Sequence, residues 1–224
     1  MMNKATRILV STFGTYVGLA GIEHGIGEML QSSAAPIGQM ILSWPDAPFF
    51  KALGGEPAFT IIPNLLVTGL LACLFSLAYI VWAVLLVKRT GSGVMLILIS
   101  VPLFLFGAGI FPPFLGILIG AVATRIHSPL TWWRSHLPPG AQNLLSAIWP
   151  WAYGACLFSW LLMFPGMAAL SYSFGVQIDS LIFGLLFCMF GFLILASIAG
   201  FARDLLKRIL PLPAALDQKT GYSS

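Results

Sequence analysis

The chain has 224 residues, of which 58% are hydrophobic and only 8% charged, and its mean hydropathy is +0.94. An ordinary soluble domain carries roughly a quarter charged residues, so this composition excludes a soluble exterior and predicts long apolar runs that face lipid. The net charge of +4 comes from basic residues set beside apolar segments, without the stripe or cluster that nucleic acid requires.

The first apolar run, residues 8–29, follows Lys4 and Arg7. A cleaved signal peptide is disfavoured, because Glu23, His24 and Glu28 interrupt its far end. Gly14, Gly18, Gly21 and Gly25 recur at intervals of four, three and four, which places them on one helical face where a neighbouring backbone can approach. Residues 31–57 read as an ordered outer loop. Within it Asp46 is a candidate cap for a short helix that Pro48 opens and Gly54 closes.

The second run, 59–87, contains Pro63-Asn64 and ends at Lys88-Arg89. Pro63 predicts a kink, with Thr60, Asn64 and Thr68 as a polar lining on one face. The third run, 94–109, contains Pro102 and meets Pro112-Pro113, where a continuous helix is forbidden. The fourth, 112–126, is short, at about 22 Å against a hydrocarbon core of about 30 Å, and carries Gly116 and Gly120 four residues apart. These two segments read as a pair of spans or a short, re-entrant hairpin. Residues 127–143 hold Trp132-Trp133-Arg134, a pattern suited to the headgroup layer. The fifth and sixth runs cover 149–170 and 181–202, with Gly184 and Gly191 as packing positions in the sixth, and 211–224 form a polar tail expected to be flexible and cytoplasmic. The shared pattern G-L-L-x-C-x-F at Gly69 and Gly184 is short enough to be coincidence in such leucine-rich sequence. Cys73, Cys156 and Cys188 lack metal-ligand or redox spacing and read as small packing residues.

The expected fold class is therefore all-α, a polytopic transmembrane helix bundle of about six spans in one integral domain over residues 1–210. With six spans, nine of the basic residues, Lys4, Arg7, Lys88, Arg89, Arg125, Arg134, Arg203, Lys207 and Arg208, share one side and Lys51 lies on the other. The positive-inside rule then places both termini in the cytoplasm, and the expected location is the cell membrane, the inner membrane of a prokaryote insofar as the chain resembles small polytopic membrane proteins of prokaryotes. Its partners are the lipid bilayer and either further copies of the chain or other membrane subunits.

Ionisable groups at membrane depth are costly and mark candidate sites. Here they are His24 and Glu28, paired four residues apart on the glycine face, and Glu23, expected to point away from that face with Glu28 nearer the outer interface. Asn64 joins them as a second polar position within a span, and Asp46, Glu56 and Asp179 as outer groups able to complete a site. The alternative is a set of solvated groups at a helix end. No metal or cofactor is assigned, because the sequence does not show which further ligands would join His24, and two-histidine haem ligation is disfavoured since His127 and His136 fall on the other side. Motifs for phosphate loops, nucleophile elbows and metalloproteases are absent, so an enzyme is not the first expectation. The candidate functions are, in order, a small-solute or proton-coupled transporter, a non-catalytic membrane subunit or assembly factor, and a membrane enzyme acting at the outer surface.

Overall fold

The structure, a computed structural model, describes residues 2–175 and 179–209, and the tail 211–224 lies outside the described residues. It is all-α apart from one short strand pair. Three helical stretches are long and apolar enough to cross a membrane, Leu65–Leu86, Pro139–Phe174 and Ser180–Arg208, while Ser92–Leu105 and Phe111–Ala123 are shorter apolar helices.

Helix α1, Lys4–Leu30, sits at the centre of the packing. Its glycines meet α2 (Leu65–Val81), where helix continues through a wider π-type turn, Trp82–Leu86. A methyl group added at Gly14 would lie 2.5 Å from Ala83 Cβ, and one at Gly25 would lie 2.7 Å from the Gly69 carbonyl oxygen, so both positions require glycine for the two helices to touch. The order of these contacts makes α1 and α2 antiparallel.

The second helix starts six residues later than the apolar run suggests. Residues Pro57–Phe59 form strand β2, antiparallel to β1 (Met40–Leu42), and Asn64 caps α2 by accepting the Val67 N–H at 3.1 Å. Pro63 therefore precedes the helix and kinks no span. Thr60 and Thr68 do meet, with their hydroxyls 3.0 Å apart, but across the start of α2 and without Asn64. In the loop between α1 and α2, expected to be the outer loop, a 3₁₀ turn, Pro48–Leu53, closes on Gly54 in the left-handed region at φ 66°. Asp46 is exposed and does not cap it.

Helices α3 (Ser92–Leu105) and α4 (Phe111–Ala123) form an antiparallel hairpin, with Pro102 inside α3 and Pro112-Pro113 in the first turn of α4, where a missing N–H costs nothing. Tyr79 on α2 donates its hydroxyl to the Gly116 carbonyl at 2.9 Å, and Gly120 packs on Gly93, so Gly116 and Gly120 serve packing within the chain. At about 20 Å each, the two helices are short. Their connection carries left-handed glycines at Gly107 and Gly109 (φ 84° and 83°), and its backbone is satisfied by the outer loop: Gly107 N–H donates to Phe59 at 2.9 Å and Ile61 N–H to Leu105 at 3.1 Å.

After the short α5 (Thr131–His136), α6 (Pro139–Leu161) begins ten residues before the fifth apolar run. Pro138-Pro139 allow this, since proline suits a helix start. A π-type turn, Leu162–Gly166, leads into α7 (Met167–Phe174), and the helix breaks at Phe164 (φ −145°, ψ 124°) beside Pro165. The freed carbonyls of Trp160, at 2.6 Å, and Phe164 accept the Tyr16 hydroxyl. Helix α8, Asp179–Ile209, returns antiparallel to α6. Gly184 and Gly191 have nothing within 4 Å, and Cys188 is exposed, so these positions face outward instead of packing within the chain.

The basic ends of the helices meet. Asn3 donates its side-chain amide to the Arg125 carbonyl at 2.6 Å and accepts from Arg208 at 2.7 Å, while His127 lies 2.9 Å from the Lys88 carbonyl and Arg203 donates to Ser146 at 3.1 Å. Asp204, buried on α8, takes the N-terminus of α1: one oxygen accepts the Ala5 N–H at 2.8 Å, and the other accepts the Thr6 N–H at 2.9 Å and the Thr6 hydroxyl at 2.8 Å. This half of the molecule is filled by side chains such as Leu9, Phe13, Leu96 and Ile119, all fully buried.

Candidate functional site

At the opposite end α1 turns Glu23 and His24 toward a cavity. His24 is buried, and its ring rests on the α3–α4 connection, where any side chain at Gly109 would occupy the space of its Nε2. His24 Nδ1 lies 3.5 Å from Glu23 Oε2, and His24 Nε2 lies 3.5 Å from Glu56 Oε2. One ligand-type atom from each of the three residues falls within 4.8 Å of the others.

Glu56 reaches the site through an unusual backbone. Gly54 and Gly55 are left-handed, at φ 66° and 75°, and Glu56 continues the run at φ 57°, a conformation that costs a side-chain-bearing residue energy. The turn is held by main-chain bonds from Gly55 to Phe50 (3.1 Å) and from Ser43 and Trp44 back to Glu56 (3.0 Å) and Gly55 (2.9 Å). Strain fixed in this way clusters at functional sites. Burial pushes the Glu56 carboxyl up to about 7, because loss of hydration disfavours its charged form.

The expected pair of His24 and Glu28 does not form. Glu28 is fully buried one turn along, against Gly107, and accepts the Ser43 hydroxyl at 3.3 Å, and it is not the ion-pair partner of the histidine ring. Glu23, expected on the far side of α1, is instead the second member of the cluster. His24 rests against Gly109 of the hairpin connection, and both His24 and Glu23 border the same cavity. Asn64 is committed to its helix cap, Asp46 is exposed in the outer loop, and the Asp179 side chain lies outside the described ones.

The cavity has a volume of about 420 Å³, within the usual range for ligand pockets. Its polar end is Glu23, His24 and Glu56, and its walls are apolar, among them Trp160, Phe183, Leu186 and Met189. Leu53, Glu56 and Pro57 of the outer loop form one boundary. Phe111 and Phe190 belong both to this cavity and to a wholly apolar groove with Phe114, Ile117 and Leu118, where α4 and α8 diverge at the molecular surface. Phe111 and Phe114 are exposed there. Sequence reasoning missed Tyr16 and Trp160, which border the site because the break at Phe164 opens space beside α1. The proline at 165 was the available signal for that break.

Compared with protein-family models, with curated proteins and with solved structures, the chain matches none.

Proposed function

We propose that this chain is a multi-pass protein of the cell membrane, with α1, α2, the α3–α4 hairpin, α6–α7 and α8 crossing or entering the bilayer and both termini in the cytoplasm, and that it is a membrane enzyme acting on a lipid-like amphiphile at the outer surface. Three long apolar helices and the gathering of basic helix ends support the first part.

The observation that carries the second is the position of Glu56. An outer loop delivers its carboxylate to 3.5 Å from a buried histidine, at the single polar end of an otherwise apolar cavity. Such a shape suits a molecule with one polar head and an apolar chain. The head meets Glu23, His24 and Glu56, the chain lies against Trp160, Leu186 and Met189, and the groove beside Phe111 and Phe190 admits it from the lipid side. Hydrogen bonds that fix the head against the buried imidazole are strong in a water-poor site. The transporter reading has less support, because the half of the bundle beyond the cavity is packed with fully buried apolar side chains such as Leu9, Phe13 and Leu96.

The test is lipid extraction and mass spectrometry on full-length protein purified in mild detergent, followed by incubation with a labelled total lipid extract. Wild type should retain an amphiphile and convert a labelled lipid. Ala20→Trp, which fills the cavity wall, should lose both, and His24→Ala should lose conversion. Equal retention and conversion in wild type and both variants would end this reading.

A further inference from the structure

The geometry points to a divalent transition-metal site formed by Glu23, His24 and Glu56, of the zinc class, with an open coordination position facing the cavity. It rests on the reading above of the cavity as the place where an amphiphile is bound and transformed.

Three independent observations converge. The first is spacing. Metal–ligand bonds of about 2.0–2.2 Å place neighbouring ligand atoms about 3.3–3.6 Å apart around a tetrahedral ion. Glu23 lies 3.5 Å from His24 Nδ1 and Glu56 lies 3.5 Å from His24 Nε2, and with one ligand atom taken from each residue the triplet fits within 4.8 Å. Since one ion takes a single imidazole nitrogen, a rotation of the ring together with a carboxylate brings the three to one ion.

The second is the state of the histidine. Its side chain is 4% exposed, it borders the cavity, and its Nδ1 has no hydrogen-bond partner among the described residues. Buried nitrogen and oxygen acceptors are normally satisfied, and each exception asks for a missing partner. A cation that takes up the Nδ1 lone pair supplies one.

The third is charge. Among the described residues, the ion pairs of Glu23 and Glu56 are made with His24 alone, and the outer loop's basic residue, Lys51, is exposed. Two carboxylates so enclosed are costly in their charged form, and a divalent ion would offset that cost for both. One imidazole and two carboxylates form a mixed nitrogen and oxygen donor set, which selects zinc-like ions over the all-oxygen preference of Mg²⁺ and Ca²⁺. Three protein ligands plus an open position is also the arrangement of catalytic zinc sites, in contrast to closed structural ones. Here that position opens on the space assigned to the amphiphile's head, where the ion would polarise a carbonyl or phosphoryl oxygen.

The experiment uses full-length protein in detergent, stripped with chelator and checked for folding by circular dichroism and gel filtration. Zn²⁺ content is read by elemental analysis and Co²⁺ is titrated as a visible-absorption probe. Wild type should take up about one ion per chain with the intense visible bands of a low-symmetry, four- to five-coordinate Co²⁺ site. Glu23→Gln, His24→Ala and Glu56→Gln should each weaken Co²⁺ binding by about a hundredfold or more, whereas Glu28→Gln, a buried carboxylate outside the cluster, should bind like wild type. If folded wild type takes up no more Zn²⁺ or Co²⁺ than folded His24→Ala, the metal site is refuted. So too if Glu28→Gln loses binding as the three ligand variants do. Amphiphile retention by the stripped wild type is measured in parallel: retention without metal uptake leaves the cavity reading standing and removes the metal, while metal uptake without retention does the reverse.

Discussion

Glu56 shows how one residue can be costly to the fold and central to the site. At φ 57° its side chain crowds its own backbone, a penalty of about 1–2 kcal/mol that glycine avoids. Comparing Glu56→Ala with Glu56→Gly isolates this term, since both remove the carboxylate and only the second relieves the backbone. We expect Glu56→Gly to be more stable than Glu56→Ala by about 1 kcal/mol in metal-free thermal unfolding, with both equally unable to bind Co²⁺. Should the alanine variant melt at or above the glycine variant, the strain at this position carries no weight. The same residue explains what was legible in advance. His24, Glu23 and Glu56 all stood out as ionisable groups in an apolar chain, so the members of the site were visible. Their pairing was not, because helical spacing favours Glu28 as the neighbour of His24 while three successive left-handed residues bring Glu56 there from the loop. Helical periodicity has no access to a contact made by a turn.

At the level of elements, apolar runs located every long helix but misplaced the ends. The second helix starts at Leu65 because a short strand and the Asn64 cap precede it, and the fifth apolar run belongs to a helix that already begins at Pro139 and breaks at Phe164. Hydropathy measures burial in lipid or protein, and it is blind to where backbone hydrogen bonds change partner. The join of α1 to α8 is a further case. Asp204 lies in sequence among Arg203, Lys207 and Arg208, and it is 4% exposed and holds three donors of the first turn of α1, a role no sequence pattern marks. A carboxylate at a helix N-terminus gains from both the unpaired N–H groups and the dipole. Asp204→Asn keeps the shape but turns an amide NH₂ toward one set of donors. The expected loss is about 2 kcal/mol, read as a lower unfolding midpoint in detergent with metal binding of the remaining folded protein unchanged. An unaltered midpoint would show that this cap contributes nothing.

For the molecule as a whole, the two ends differ in kind, and that difference carries the functional argument. One end is tied by Asn3, Arg125, Arg208 and Asp204 around a tightly filled apolar half, while the other opens where the α3–α4 hairpin stops short and the outer loop descends to meet it. Under the proposed topology the α3–α4 connection lies within the bilayer, where non-helical backbone must be satisfied by protein, and the bonds from Gly107 to Phe59 and from Ile61 to Leu105 do so. Under the proposed orientation a hairpin entering from the basic side returns to the same side, whether its tip reaches the far interface or not, so the proposed site would lie in the outer half in either case. This placement is testable without knowing the ligand. In a chain with Cys73, Cys156 and Cys188 replaced by alanine, single cysteines at Lys51, Arg89 and Ser128 report the three critical connections to a membrane-impermeant maleimide. Lys51→Cys should label in intact cells, and Arg89→Cys and Ser128→Cys only after permeabilisation. The reverse pattern would invert the protein and put the cavity on the cytoplasmic side, whereas labelling of Lys51→Cys and Arg89→Cys from one face would mean that α2 does not cross. Only the expected pattern lets an amphiphile of the outer leaflet reach His24 through the groove at Phe111 and Phe190, because the other half of the bundle is filled by buried side chains such as Leu9, Phe13 and Leu96.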